Sequence, residues 1–268
     1  MGLFFVSLTP ASPPRKVPTE GDAMIPKNKE LFSNLSDIER LFFDDEAYPW
    51  EALLKMIAFM NACAGDHGQE PPLLPSRDWP PEIRCIKDEE RESSTPTNFM
   101  AIERLLHVRG GHRLKSDEGV HIRGPVVFGK DVILRKGVVI TGPSFVGDRA
   151  VVGQGCRVKN STIRADSEIQ FGTRVAHAVI GSGVFIGPNA VLNDRTLNGN
   201  GEDIGYGEGV STNMRHLGLI AGDRCKVGGG GIFVPGVILL PGTTVLEGVR
   251  LRRRAVYSRT VRDEFHDQ

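Results

Sequence analysis

An excess of charge of one sign is missing from this chain: across 268 residues, 33 basic side chains are balanced by 33 acidic ones. Without surplus positive charge to neutralise a phosphate backbone, a nucleic-acid partner is not expected. Long hydrophobic runs are missing too. None approaches the ~20 apolar residues of a membrane-spanning helix, so no membrane partner is expected and the location reads as cytoplasmic. The opening "MGLFFVSLTPASPP" resembles a secretory apolar core but has no basic segment before it, and Met24 offers a second start close behind. It reads as a disordered or misassigned start. Cysteines are few: Cys63, Cys85, Cys156 and Cys225 stand far apart with no CxxC pair. That argues against a zinc site or a disulfide framework and for buried thiols in a reducing compartment. No metal triad is visible. "GQG" and "GYGEG" lack the GK[ST] that would make a phosphate loop.

Glycine is plentiful, at 32 residues, while aromatics make up 7%. From Val120 an aliphatic beat runs through Val126, Val132 and Val138. After a longer gap it continues through Val146, Val152, Val158, Ile163, Ile169, Val175, Ile180 and Ile186, and after an insertion through Ala221, Val227, Phe233, Leu239, Val245 and Leu251. Strand side chains alternate with period two, so an even repeat keeps the marked residue on one face. Six residues make one short strand and one corner, and Gly, Asn or Asp reach the positive φ of a corner at least cost. Three such sides close a coil of about 18 residues, the mark of a parallel β-helix. The five-residue steps Val158 to Ile163 and Val175 to Ile180 would flip this parity, so their corners must absorb the difference.

The expected organisation is a disordered 1–29, a helical 30–64, a linker with a short helix ("NFMAIERLLHV") over 65–119, a β-helix over 120–250 with an insertion at 192–218, and a basic tail over 251–268. Ser36 and Glu39 form a capping-box pattern. Pro49 suits a first helical turn, and Trp50, Leu53, Leu54 and Ile57 give one apolar face. The tail is expected to cap the open end of the coil, where charge protects unpaired strand groups. The fold class is all-β: a left-handed parallel β-helix of hexapeptide repeats behind a small helical segment.

"YPWEALLKM", "VGDRAVVGQGCRVKNSTI", "MRHLGLIAGDRCKVG" and "VPGVILLPGTTV" resemble the left-handed β-helix family of sugar-phosphate nucleotidyl- and acetyltransferases. The likeness is to the C-terminal half of the bifunctional N-acetylglucosamine-1-phosphate uridyltransferase/glucosamine-1-phosphate acetyltransferase, and to short stand-alone relatives named UDP-N-acetylglucosamine pyrophosphorylases. It implies a homotrimer, acetyl-CoA or another acyl-CoA as donor, and an aminosugar phosphate or nucleotide sugar as acceptor. It also implies an insertion that reaches toward a neighbouring subunit's cleft. Uridyl transfer is not expected, because the Gly-rich nucleotide loop with its following Lys is absent. The resemblance places a general-base histidine where this chain has Phe171, a tyrosine where it has Arg174, and an aspartate where it has His177. A phenyl ring cannot accept a proton, so the family mechanism does not carry over unchanged.

The candidate base is therefore His177, with His216 second; an imidazole titrating near neutrality suits deprotonation of an amine or hydroxyl. A corner histidine bonded to backbone remains the alternative. Arg174, Arg195 and Arg215 are candidates to hold phosphate through paired hydrogen bonds, with a solvated coil face as the alternative, and Asn193 and Asn213 to position an acceptor, with tight turns as theirs. Arg215 also matches a basic position of the family. Lys226, Gly229 and Gly230 are candidates for CoA, whose pantetheine arm would lie against bare backbone; corner glycines are the alternative. Two function classes stay open: an acyltransferase, and a non-catalytic trimeric scaffold or ligand-binding relative.

Overall fold

The computed structural model describes residues 25–64, 83–86, 105–108, 114–196, 203–206, 210–252 and 254–262. Strands of two to four residues stack into three ladders of nine, seven and eight strands. Successive strands pair in parallel one coil apart: Ile122 with Ile140, Ile140 with Val158, and Val158 with Val175. This is a left-handed β-helix of about eight turns.

The core explains the beat. Ile122, Phe128, Leu134, Ile140, Val146, Val152 and Val158 are all buried, as are Val120, Val126, Val132 and Val138 two positions before the first four. Two residues apart on a strand share a face. The longer gap between Val138 and Val146 is thus no interruption. The coil keeps six-residue steps there, and the visible aliphatic pattern only changes from one inward row to the next. Each buried aliphatic side chain contributes roughly 1.5–3 kcal/mol. Where the inward row carries Ser161, Ser167 and Thr173, each hydroxyl bonds backbone: Ser167 Oγ donates to the Gly181 carbonyl at 2.7 Å and Thr173 Oγ1 to that of Gly187 at 3.0 Å. Buried polar groups so paired cost little. Cys156 and Cys225 are buried, and burial pushes both thiols up, Cys225 to about 11, as expected of inert core residues.

One of the three faces is covered. Outward-facing Val127, Phe145, Val179, Ile220 and Ile238 on the nine-stranded ladder pack against α1 (Asn28–Leu31), a 3₁₀ turn (Glu39–Leu41) and α2 (Pro49–Ala64). The Ser36–Glu39 pattern makes its contact, with the Ser36 N–H donating to Glu39 Oε2 at 2.8 Å. It opens a single 3₁₀ turn rather than a long helix. Pro49 does start α2, and Glu51 Oε1 accepts from the Tyr48 N–H at 3.0 Å. The buried face of α2 is Trp50, Ala52, Leu53, Met56, Phe59 and Met60, while Leu54 is exposed. The apolar face read from sequence is thus rotated, because the covered ladder selects the stripe.

Boundaries also shift. Leu105–Val108, read as part of a short helix, is a strand; it pairs with Val126–Phe128, and antiparallel with Ile83–Ile86. The open end of the nine-stranded ladder offers unpaired N–H and C=O groups, and pairing there outweighs helix propensity. The linker read over 65–119 therefore contains two strands of the ladder, and the coil begins at Lys115–Ser116. It runs on through Val256–Tyr257 and Thr260–Val261, into the stretch read as a tail. Residues 25–29 belong to the ordered helical segment. The expectations for 1–24, 65–82, 87–104, 109–113, 197–202, 207–209, 253 and 263–268 lie outside the described residues.

Candidate functional site

Each coil turns three corners. The one leading from the seven-stranded face to the covered face is built from Gly124, then Gly142 with its cis bond to Pro143, then Asn160 (φ 46°) and His177 (φ 48°). Asn160 and His177 occupy the two five-residue steps. A left-handed residue there shortens the corner while both flanking strands keep their inward parity, and Asn and His are among the side chains that tolerate this region. One coil further on, Asp194 takes the same place and the insertion begins.

Stacking aligns the three side chains at steps of 17 residues. Asn160 Nδ2 lies 3.0 Å from His177 Nε2, and His177 Nδ1 lies 2.8 Å from Asp194 Oδ2. The insertion returns through Met214 and Leu217, and the Leu217 N–H donates to the Asp194 carbonyl at 2.8 Å. This brings His216 onto the column: its ring stacks on His177 with centroids 4.9 Å apart, and its Nδ1 lies 3.6 Å from Asp194 Oδ2. Gly218 makes the return possible, since a Cβ there would lie 2.3 Å from the Ala176 carbonyl oxygen.

The three groups differ in access. The side chains of His177 and Asp194 are about nine-tenths buried, and that of His216 is 46% exposed. The hydrogen bond from His177, opposed by burial, brings the Asp194 carboxyl down to about 2, so it is a permanent anion near neutrality. Burial, and then the neighbouring His177, push His216 below the ordinary imidazole value, which leaves it neutral with a lone pair at pH 7. Both ring nitrogens of His177 are engaged, whereas no described residue bonds His216 Nε2. Of the two candidate bases, His216 is the one open to solvent, while His177 is tied to Asn160 and Asp194.

Cations ring the site. Arg174 reaches Asp194 Oδ1 at 3.7 Å, and the charges of Lys159 and Arg195 bear on His216. Arg195, Arg215 and Asn193 are exposed on the two ends of the insertion. Phe171 is 52% exposed at the preceding corner, between the eight- and seven-stranded faces. Gly229 and Gly230 lie at that same corner, where a Cβ on Gly229 would touch Pro188, and Lys226 projects from the eight-stranded face. Within one chain the proposed donor residues and the histidines thus stand on opposite edges of the seven-stranded face. The insertion also does not point away from its own subunit over the described residues. Ile204, Tyr206, Met214 and Leu217 pack on α2, with Tyr206 stacked on Trp50 at 5.1 Å and its hydroxyl donating to the Gly236 carbonyl at 2.6 Å. That burial pushes the Tyr206 phenol far up.

Asn160, Lys159 and Asp194 were not singled out by the sequence. The signal was present in the two five-residue steps: adding one short coil to His177 in each direction lands on Asn160 and Asp194.

The family model "GMPPB C-terminal domain" matches residues 122–245, which take in the whole column. The chain is 30% identical to the "Bifunctional protein GlmU" of Alkaliphilus oremlandii over 129 residues, 48% of this chain and 28% of that protein. It is 35% identical to that of Oleidesulfovibrio alaskensis over 106 residues, 37% and 23% of the two chains. It therefore spans about a quarter of the length of these curated relatives. A hexapeptide transferase family protein of known structure from Anaplasma phagocytophilum overlaps 56% of this chain and 72% of its own, at 20% identity and a TM-score of 0.26.

Proposed function

We propose, taking as premise that the chain is a hexapeptide-repeat protein resembling the C-terminal part of GlmU, that it transfers an acyl group from an acyl-CoA to an amine or hydroxyl of a sugar phosphate or nucleotide sugar. The observation that carries this reading is His216: neutral, half-exposed, beside a buried anion and in the field of Arg174, Lys159 and Arg195. The acceptor N–H or O–H gives its proton to the free Nε2 as its lone pair attacks the thioester carbonyl. Asp194 stabilises the imidazolium that forms, the role a carboxylate plays behind a catalytic histidine. Collapse of the tetrahedral intermediate breaks the C–S bond, and the imidazolium returns the proton to the departing CoA thiolate. The surrounding cations suit an acceptor that carries phosphate.

Donor and base residues sit on opposite edges of one face, so the reading calls for a homotrimer in which one subunit's Lys226 to Gly230 corner meets the His216 corner of the next. Phe171, Phe185 and Val191, exposed on and beside the donor corner, are the apolar surface such a contact would cover. The second reading, a scaffold without turnover, is favoured by that same separation. Calorimetric titration with acetyl-CoA, followed by a free-thiol assay over a panel of aminosugar phosphates and nucleotide sugars, decides between them. The transferase reading expects one donor site per subunit and thiol release that falls about a hundredfold or more in His216→Ala. No donor binding at millimolar acetyl-CoA would overturn it and leave the scaffold.

A further inference from the structure

The sequence shows no metal motif, because the residues concerned are spread over two coils and the end of an insertion. The fold nevertheless brings two imidazole nitrogens and a carboxylate oxygen together: His177, His216 and Asp194 offer ligand atoms that all lie within 4.8 Å of one another. We infer that this corner is a binding site for a divalent cation of the zinc class, held by His177 Nδ1, His216 Nδ1 and an Asp194 oxygen, with solvent on the open side. Two imidazoles and one carboxylate with a free position form a donor set that suits zinc, and that hard cations such as Mg²⁺ do not favour.

The geometry fits in three ways. Ligands ~2 Å from a tetrahedral metal stand about 3.3 Å apart. The two pairs that include Asp194 bracket that value, at 2.8 Å for His177–Asp194 and 3.6 Å for His216–Asp194. The two deeper ligands are fixed by packing, and the third comes on the insertion and has room to adjust. The third point is independent of the ligands. Asn160 Oδ1 is a buried oxygen with no hydrogen-bond partner, on the amide that contacts His177 Nε2. With the metal absent, His177 carries its proton on Nδ1, toward Asp194, and takes the Asn160 N–H at Nε2. Metal entry needs the Nδ1 lone pair, so the proton that stays on the ring sits on Nε2. Turning the Asn160 amide over then gives its unpartnered oxygen that N–H. An outer partner of this kind fixes the tautomer of a metal-bound histidine.

The site uses the same side chains as the acyl-transfer reading but does not depend on it. A bound cation ties down His216, so occupancy and that chemistry exclude each other. The test is titration of the full-length protein with Co²⁺, followed by its visible absorption, and displacement by Zn²⁺ in the calorimeter. The expected result is one Co²⁺ per chain with a low-symmetry, tetrahedral-type spectrum, lost on adding Zn²⁺ and unaffected by excess Mg²⁺. Affinity falls about a hundredfold in His216→Ala, a half-exposed position whose loss spares the core, and about ten- to a hundredfold in Asn160→Ala. It is unchanged in His121→Ala, a histidine elsewhere on the seven-stranded face. Equal binding by wild type and His216→Ala, or no saturable binding at stoichiometric metal, overturns the inference. Metal binding by a protein that releases no thiol even after chelator has stripped the metal supports it and removes only the acyl-transfer reading.

Discussion

Two aspartates, Asp223 and Asp194, sit at corners of the same β-helix and are buried to nearly the same degree, 3% and 7% exposed. Their partners separate them. Asp223 Oδ1 takes the guanidinium of Arg164 at 2.7 Å and the Ser182 N–H at 2.9 Å, and Oδ2 takes the N–H and hydroxyl of Ser33. Arg164 is itself 1% exposed; its Nε donates to Glu39 at 2.6 Å, and Phe32 and Phe43 flank it with ring centroids 5.7 Å away. A guanidinium keeps its charge at every accessible pH, so this network clamps the helical segment to the coil in one state. Asp194 instead faces two imidazoles, and one of them, that of His216, opens to solvent. Burial of a carboxylate is common to a strut and a site. The access of its partners to solvent tells them apart.

Removing the strut's cation has the largest expected effect. Arg164→Met leaves Glu39 and Asp223 buried without a counter-charge and costs about 3–5 kcal/mol, read in thermal or urea unfolding. Loss of less than about 1 kcal/mol would show that the clamp is not structural. Next comes Asp194→Asn. It is expected to cut thiol release by at least about a hundredfold, since the histidines lose their orienting anion. It also reshapes acid stability. The Asp194 carboxyl is depressed to about 2, so its contribution, about 2 kcal/mol, is full above the unfolded value near pH 4 and is lost as pH falls toward 2. In the variant that part of the acid limb flattens; an unchanged limb contradicts the reading.

Gly218→Ala probes the approach that delivers His216. A methyl 2.3 Å from the Ala176 carbonyl oxygen forces the return segment outward, so turnover and Co²⁺ affinity fall together with a stability loss of about 1–3 kcal/mol. Stability lost without either functional change would uncouple the segment from the site. A smaller effect is expected in the pH dependence of thiol release. His216 is depressed from its ordinary value, so activity is lost toward acid with a midpoint below about 6.5. A midpoint above that value contradicts the assignment. The smallest is Arg195→Ala, an exposed cation at the rim, expected to raise KM for a phosphorylated acceptor up to about tenfold while kcat holds.

The coil was legible because six-residue periodicity and strand parity are both local. Glycine-rich corners and aliphatic rows state the fold over more than half the chain. The longer gap between Val138 and Val146 has a physical reason: two inward rows satisfy the same parity, and an aliphatic count cannot tell which is in view. The helix expected across Leu105–Val108 failed because a waiting ladder end is a long-range partner that local propensity does not register. Nothing local marks Arg164 as buried, since the Ser33 carbonyl and the Glu39 and Asp223 carboxylates that receive it lie far off in sequence. At the candidate site, His177 and His216 both stand out in the sequence, but which of them reaches solvent depends on how the insertion folds back. Asn160 and Asp194 become visible only once the short coils are counted from His177.

The central claim is that His216, set by Asp194, is the working group of this corner. The direct measurement is free-CoA release from acetyl-CoA by wild type and by His216→Ala, with the panel of phosphorylated aminosugars as acceptors and folding checked by circular dichroism. The account predicts release that depends on acceptor in the wild type and falls about a hundredfold or more in the variant. Equal release by the two proteins would contradict it.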